Sequence, residues 1–144
     1  MTKDVLITIQ GVHMLPGVPK EYISVAYPGI YTKSGDIHEI KYDEPLDETN
    51  IVTKNVINIG EGFMDIHKDG FEITHMSFQN TTKPVQSCYS TPYGDIILDI
   101  TTMGFDVSER DDHISVDVDY AMGIDNRHIK NCSMHIDIKP IVGH

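Results

Sequence analysis

Residues 88–102 read Cys-Tyr-Ser-Thr-Pro-Tyr-Gly-Asp-Ile-Ile-Leu-Asp-Ile-Thr-Thr and predict two β-strands joined by a sharp corner. Pro92 lacks a backbone donor, so it cannot continue the interior of a strand ladder. Gly94 provides the backbone freedom that a change of direction needs. Beyond the corner, aliphatic side chains recur at every second position from 96 to 100, which is the period of a strand. This stretch therefore predicts an antiparallel connection between neighbouring strands.

The same two-residue period recurs along the rest of the chain, in segments separated by turns rich in glycine, proline and acidic residues. The pattern indicates about ten such segments, and none has the i, i+3, i+4, i+7 spacing of an amphipathic helix. An open sheet of that many strands curls or splits, and closing it removes free edges that would otherwise aggregate. We therefore predict an all-β fold, an antiparallel up-and-down β-barrel of about 8–10 strands, in a single domain covering residues 1–144.

The pair Asp69-Gly70 is the strongest hairpin signal in the chain and predicts a two-residue turn. Such a turn pairs Ile66 with Ile73 and Met64 with His75, so these four residues share one face of the hairpin. The opposite face also carries large apolar side chains, namely Phe63, Met76 and Phe78. The alternation leaves open which face points into the barrel.

The final two predicted strands, within residues 114–138, form the cleanest amphipathic pair. Matching their apolar faces pairs Val118 with Cys132, because a one-residue slip would turn every side chain to the other face. The same register turns Tyr120 and Met134 towards the interior.

The charge balance disfavours several classes of partner. Acidic residues outnumber basic residues by 22 to 11, for a formal net charge of −11. Nucleic acids and anionic membrane surfaces attract basic proteins, so neither is expected as a partner. The first residues lack the apolar run of a signal peptide, and no window approaches the ~20 apolar residues of a membrane span, which predicts a cytoplasmic protein. Cys88 and Cys132 are accordingly expected to be reduced, buried and inert.

Motifs of the common catalytic sites are missing: the sequence has no Gly-x-Ser-x-Gly, Gly-x-x-x-x-Gly-Lys or His-Glu-x-x-His. We therefore expect no enzyme activity, no catalytic residues and no cofactor. The predicted register places His113 opposite Asp137 and His135 opposite Ser115, with Asp117 nearby. This surface could hold a divalent ion, but zinc requires three or four converging ligands, and a solvated face with cross-strand pairs is the favoured interpretation. No metal site is predicted.

Several motifs resemble the YwiB-like family of small bacterial proteins, and the resemblance extends over nearly the whole chain. Its most specific element is Tyr89-Ser90-Thr91-Pro92-Tyr93-Gly94, followed by Ile96-x-Leu98 and Thr101. The other matching segments are Pro28-Gly29-Ile30-Tyr31, Tyr42-Asp43-Glu44, the Asp69-Gly70 turn with Met76-x-Phe78, and residues 116–125 before a final amphipathic strand. The resemblance implies a calycin-type, lipocalin-like barrel. The family has no known function, so it implies no catalytic residues.

The main functional hypothesis is a binding protein that holds a small apolar ligand inside the barrel, since a barrel of this size can enclose one small molecule. The predicted ligand contacts are the inward positions Met64, His75, Tyr120 and Met134. One alternative is a structural or interaction protein, a homodimer with a packed barrel, which is favoured by the apolar residues on both faces of the Asp69-Gly70 hairpin. A metal-dependent enzyme is a third alternative.

Overall fold

The computed structural model describes residues 4–14, 21–45, 52–70, 73–79, 84–91, 94–124 and 127–141, and these form ten β-strands. The strands are β1 (Asp4–Met14), β2 (Glu21–Ser34), β3 (Ile37–Pro45), β4 (Val52–Gly60), β5 (Phe63–Asp69), β6 (Ile73–Gln79), β7 (Val85–Thr91), β8 (Gly94–Arg110), β9 (His113–Ile124) and β10 (Arg127–Pro140). Each strand pairs antiparallel with its neighbours in the sequence, and β1 pairs with β10 to close the barrel. The predicted antiparallel up-and-down barrel is therefore confirmed.

One seam of the barrel wall is held by a short ladder. Among the described residues, strands β6 and β7 pair through Ile73 with Ser90 and Thr74 with Tyr89 and through no other residues. Further along the seam, the backbone N–H of Gln79 donates to Thr102 Oγ1 of β8 at 3.3 Å. Beyond the end of its pairing with β7, strand β6 therefore contacts β8 directly.

The core follows from the two-residue period. Ile57 and Ile59 on β4 and Ile136 and Ile138 on β10 have no exposed surface. Complete burial of an aliphatic side chain contributes about 1.5–3 kcal/mol. A one-residue slip of either strand would expose its whole inward set, so burial fixes the register.

The predicted corner lies between β7 and β8. Thr91 pairs with Gly94, so the chain reverses over two residues. Gly94 has φ of 133°, a conformation that favours glycine, as the corner requires. Pro92 and Tyr93 themselves lie outside the described residues.

The predicted register of the β5–β6 hairpin is wrong. Asp69 pairs with Ile73, so the connection has three residues and not two. Gly70 lies so close to β4 that a Cβ there would come within 2.9 Å of Thr53 Cα. Relative to the predicted register, the pairing of Asp69 with Ile73 shifts β6 by an odd number of residues. This shift moves Met76 and Phe78 to the inner face with Met64 and turns His75 outward.

The β9–β10 register differs from the prediction by an even number of residues, so the predicted faces are retained. Cys132 lies opposite Tyr120, and Met134 lies opposite Val118. The shift arises because Arg127 already pairs with Ile124, and an irregularity between His128 and Lys130 takes up the odd residue.

The cysteine prediction is half right. Cys132 is buried, whereas Cys88 is exposed, and neither forms a disulfide. Within the described residues there is no helix that is long and apolar enough to cross a membrane.

Candidate functional site

Three of the four residues predicted as ligand contacts lie on the inner face. Met64 is completely buried, Tyr120 is nearly so, and Met134 is partly buried against the same core. His75 does not lie inside, because the three-residue connection after Asp69 turns it outward, where half of its side-chain surface is exposed. There its ring stacks on that of His67, with 3.9 Å between the ring centroids.

The inward residues pack closely in the middle of the barrel. The rings of Phe78 and Tyr120 meet edge to face, with their centroids 4.8 Å apart. Burial, together with the neighbouring Cys132 thiol, raises the pKa of Tyr120 above its ordinary value. Met64 and Tyr120 therefore serve as core side chains in this structure, and their role as ligand contacts stays a prediction.

A cavity of about 460 Å³ lies at one end of the barrel, and we call it the end cavity. It is bounded by the β2–β3 turn, the β4–β5 turn and the second half of β8. Its lining residues are Lys33, Asp36, His38, Ile59, Gly60, Glu61, Gly62, Phe105, Asp106, Val107 and Glu109. The volume falls within the range of small-molecule sites, about 300–1,000 Å³.

A chain of polar contacts crosses the barrel at the end cavity. The Tyr31 hydroxyl lies 2.6 Å from His38 Nδ1, and His38 Nε2 lies 3.3 Å from Glu109 Oε2. Burial, with a contribution from the Glu109 charge, raises the pKa of Tyr31, so its hydroxyl stays protonated and donates to Nδ1. A neutral histidine that accepts at Nδ1 carries its proton on Nε2, the nitrogen that lies 3.3 Å from Glu109.

The polar chain fixes one carboxylate in the end cavity. The His38 side chain is only 6% exposed, whereas that of Glu109 is 52% exposed. A buried histidine whose Nδ1 accepts from Tyr31 cannot turn without losing that hydrogen bond, so its orientation is set. Glu109 is thus held from within the barrel but presents its carboxylate to the cavity.

The lining of the end cavity is acidic at its rim and apolar at its base. Three acidic residues of its lining, Asp36, Glu61 and Glu109, stand against the single Lys33. Asp106 also borders the cavity, but its place opposite Asp117 turns its side chain to the outer face. Ile59 is completely buried beneath them. This arrangement favours a ligand that combines a positive charge with an apolar part.

Sequence reasoning missed the end cavity, although one signal for it was present. His38 precedes Ile40 and Tyr42 at every second position, and both of these are core residues. The alternation could thus have placed His38 inside. No such signal existed for Glu109, because the register shift between Thr102 and Gly104 changes which β8 positions face inward.

The histidine and aspartate surface predicted on β9 and β10 is present as a hydrogen-bonded network on the outer face. His135 Nδ1 lies 2.6 Å from an Asp117 oxygen, and its Nε2 lies 2.7 Å from an Asp137 oxygen. Ser115 Oγ and His113 Nε2 also contact Asp137, at 2.8 and 2.7 Å. Apart from the contact of His135 with Asp137, which lies within β10, these contacts join β9 to β10. Among the residues that the structure describes, no group of three or more metal-ligating side chains could hold an ion.

The same hydrogen bonds shift the ionisation of the network. The bond to Asp117 raises the pKa of His135 despite partial burial, and Asp137 adds to the effect. Burial alone would raise the pKa of Asp137, but the bonds from Ser115, His113 and His135 outweigh it and hold that pKa below its usual value. The network therefore favours the protonated form of His135, which lies between two carboxylates.

A second cavity, of about 490 Å³, lies beside this network and extends to Tyr22 and Gln10. Its carboxylates already have partners, since Asp117 is held by His135, and Asp119 accepts a hydrogen bond from Ser133. The end cavity, with the half-exposed Glu109, is the better candidate for a ligand.

Comparison with known proteins identifies the fold and a family. A family model described as "Domain of unknown function (DUF1934)" matches residues 7–136. The crystal structure of ywiB protein from Bacillus subtilis is similar, with a TM-score of 0.84 over 97% of this chain and 93% of that chain. The two sequences are 16% identical, so the likeness concerns the fold alone. No curated protein matches this chain.

Proposed function

This chain belongs to the family described as Domain of unknown function (DUF1934), and we propose that it is a binding protein for a small molecule that carries a positive charge and a short apolar part. The resemblance to the YwiB-like family seen in the sequence is thereby confirmed. Because the family has no known activity, the proposal depends on the chemistry of the end cavity.

The observation that carries the proposal is the half-exposed carboxylate of Glu109 at the end cavity, 3.3 Å from the buried His38. A carboxylate beside apolar side chains attracts an ammonium group, and the apolar side chains accommodate the alkyl part of the same ligand. The base, formed by Ile59, Phe105 and Val107, suits a short alkyl or aryl group. The proposed site lies at the end of the barrel and not in its packed middle. The proposal therefore replaces an apolar ligand in the interior by a cationic ligand at the barrel end.

The proposal assigns no chemical step to the site. Tyr31, His38 and Glu109 form a chain of polar contacts that suits the recognition of a charged group. We propose binding without catalysis. The net charge of −11 supports cationic ligands and disfavours nucleic acids.

A matched series of hexylamine, hexan-1-ol and hexanoate tests the proposal, with binding measured by isothermal titration calorimetry or ligand-observed NMR. We expect hexylamine to bind more tightly than hexan-1-ol, and hexanoate to bind least. Replacing the carboxylate by an amide in Glu109→Gln should weaken hexylamine binding by about ten-fold, since one charged hydrogen bond is lost. Glu39→Gln is the matched control, because Glu39 lies next to His38 in the sequence but on the outer face of β3.

Two results would contradict this function. One is equal binding of hexylamine and hexanoate, which would show that the carboxylates of the cavity do not select charge. The other is an equal effect of Glu109→Gln and Glu39→Gln, which would show that only the net charge of the protein matters.

The homodimer, the cytoplasmic location and the lipocalin-like relationship stay predictions. The homodimer was inferred from apolar residues on both faces of the β5–β6 hairpin, but Met76 and Phe78 lie on the inner face with Met64. Light scattering on the purified chain tests the homodimer directly.

A further inference from the structure

The two oxygens of Glu109 have different partners in the structure. His38, on β3, approaches Oε2 at 3.3 Å, and Lys33, on β2, approaches Oε1 with its Nζ at 4.0 Å. Lys33 pairs with His38 across the β2–β3 ladder, so both side chains point to the inner face at the same level. The cavity thus contains a cation of the protein itself beside the carboxylate that we propose to bind a ligand.

The contact of Lys33 is weak compared with the contact that a ligand could make. A charged hydrogen bond has a donor–acceptor distance of about 2.7–2.9 Å, so 4.0 Å is an ion pair without a hydrogen bond. The side chains of Lys33 and Glu109 are 48% and 52% exposed, so water screens the pair. The flexible side chain of Lys33 lets its ammonium move to solvent with little loss of free energy.

We infer that Lys33 is a specificity-determining residue that competes with the ligand for Glu109 Oε1. The inference rests on the proposed function and deepens it. In the empty cavity the ammonium of Lys33 partly neutralises Glu109; in the occupied cavity a ligand ammonium takes that position, and Lys33 moves to solvent. A neutral ligand cannot replace the ion pair between Lys33 and Glu109. Lys33 therefore lowers the affinity of ligands that compete for Glu109, and only a cation that also contacts the apolar base binds well.

The variant Lys33→Met tests the inference, because it removes the ammonium and keeps an unbranched apolar stem. Lys41→Met is the matched control: Lys41 lies on the outer face of β3, 63% exposed and 3.5 Å from Glu39, and its replacement changes the net charge equally. Lys33→Arg retains the positive charge and should retain the competition. Hexylamine and hexan-1-ol serve as probes in calorimetric titrations of the three variants and the unmodified chain.

We expect Lys33→Met to bind hexylamine about five-fold more tightly than the unmodified chain, the factor that corresponds to loss of one exposed ion pair. Lys41→Met should change hexylamine affinity less than two-fold, and Lys33→Arg should leave it unchanged or weaker. Hexan-1-ol affinity should not respond to any of the three substitutions, because the alcohol does not replace a cation.

Unchanged or weaker hexylamine binding by Lys33→Met would overturn the inference, as would an equal gain in Lys41→Met. These results would leave the proposed function intact, provided that the unmodified chain still prefers hexylamine to hexanoate. Failure of the amine to bind to both the unmodified chain and Lys33→Met would instead overturn the proposed function itself.

Discussion

Asn55 offers the sharpest test of the described core. It lies on the inner face of β4, between Tyr42 on β3 and Lys68 on β5, and only 1% of its surface is exposed. Its Nδ2 donates to the carbonyl oxygen of Thr53 at 3.2 Å. Its Oδ1 is buried and has no hydrogen-bond partner among the residues that the structure describes.

Replacing Asn55 with valine should stabilise the protein. Losing the Nδ2 hydrogen bond costs about 0.5–1.5 kcal/mol, and removing a buried, unpaired acceptor returns about 1–3 kcal/mol. Burial of the two methyl groups adds to the gain, and a β-branched side chain suits a strand. The net expectation is an increase of about 1–2 kcal/mol in the free energy of unfolding, which corresponds to an increase in Tm of about 3–8 °C for a domain of this size.

Urea denaturation and thermal melting of Asn55→Val measure this increase. Asn58→Val is the matched control, because Asn58 lies on the same strand but on the outer, partly exposed face, where substitutions usually change stability by less than about 0.5 kcal/mol. A loss of stability in Asn55→Val would refute the reasoning, since it would mean that Oδ1 has a partner in solution.

Two further predictions concern the outer network and the strand glycines. The raised pKa of His135 means that its ion pairs with Asp117 and Asp137 stabilise the fold fully below 6.5, the ordinary histidine value, and are lost as the pH rises through the raised value. The lowered pKa of Asp137 gives a contribution that is present above pH 3.8, its ordinary value, and is lost as the pH falls. His135→Ala should therefore lower the free energy of unfolding by about 1 kcal/mol between pH 3.8 and 6.5, and by less at pH 9, as measured in urea melts. A loss of stability that does not change with pH would contradict the assignment. Gly29→Ala should destabilise the barrel by about 1–3 kcal/mol, because a Cβ there would lie 2.9 Å from a backbone oxygen of β3. Gly11→Ala, whose Cβ would meet its nearest atom at 3.7 Å, should cost much less in the same melts, and equal losses would show that the close approach is not the cause.

Local patterns in the sequence determined the class of fold. The alternation in β9 and β10 placed Val118, Tyr120, Cys132 and Met134 on one buried face, and these residues are inward in the structure. A two-residue period depends only on the geometry of a single strand, so it survives errors in pairing. This is why the faces of β9 and β10 were right although their register was shifted by two residues.

The closed barrel followed from the number of strands and their short connections, because a sheet of this size is most stable without edges. The Pro92 and Gly94 corner correctly separated β7 from β8. Both inferences use constraints that act along neighbouring residues of the chain. They needed no knowledge of what lies on the far side of the barrel.

Only the tertiary structure decided what meets inside. The packing of Gly70 against Thr53 accompanies a three-residue connection, and that connection turned His75 out of the barrel. The irregularity before Gly104 turned Glu109 inward, where it meets His38 from the opposite wall. Such contacts join residues that are distant in the sequence, and their existence depends on register shifts and barrel closure. A single-strand period carries no information about either.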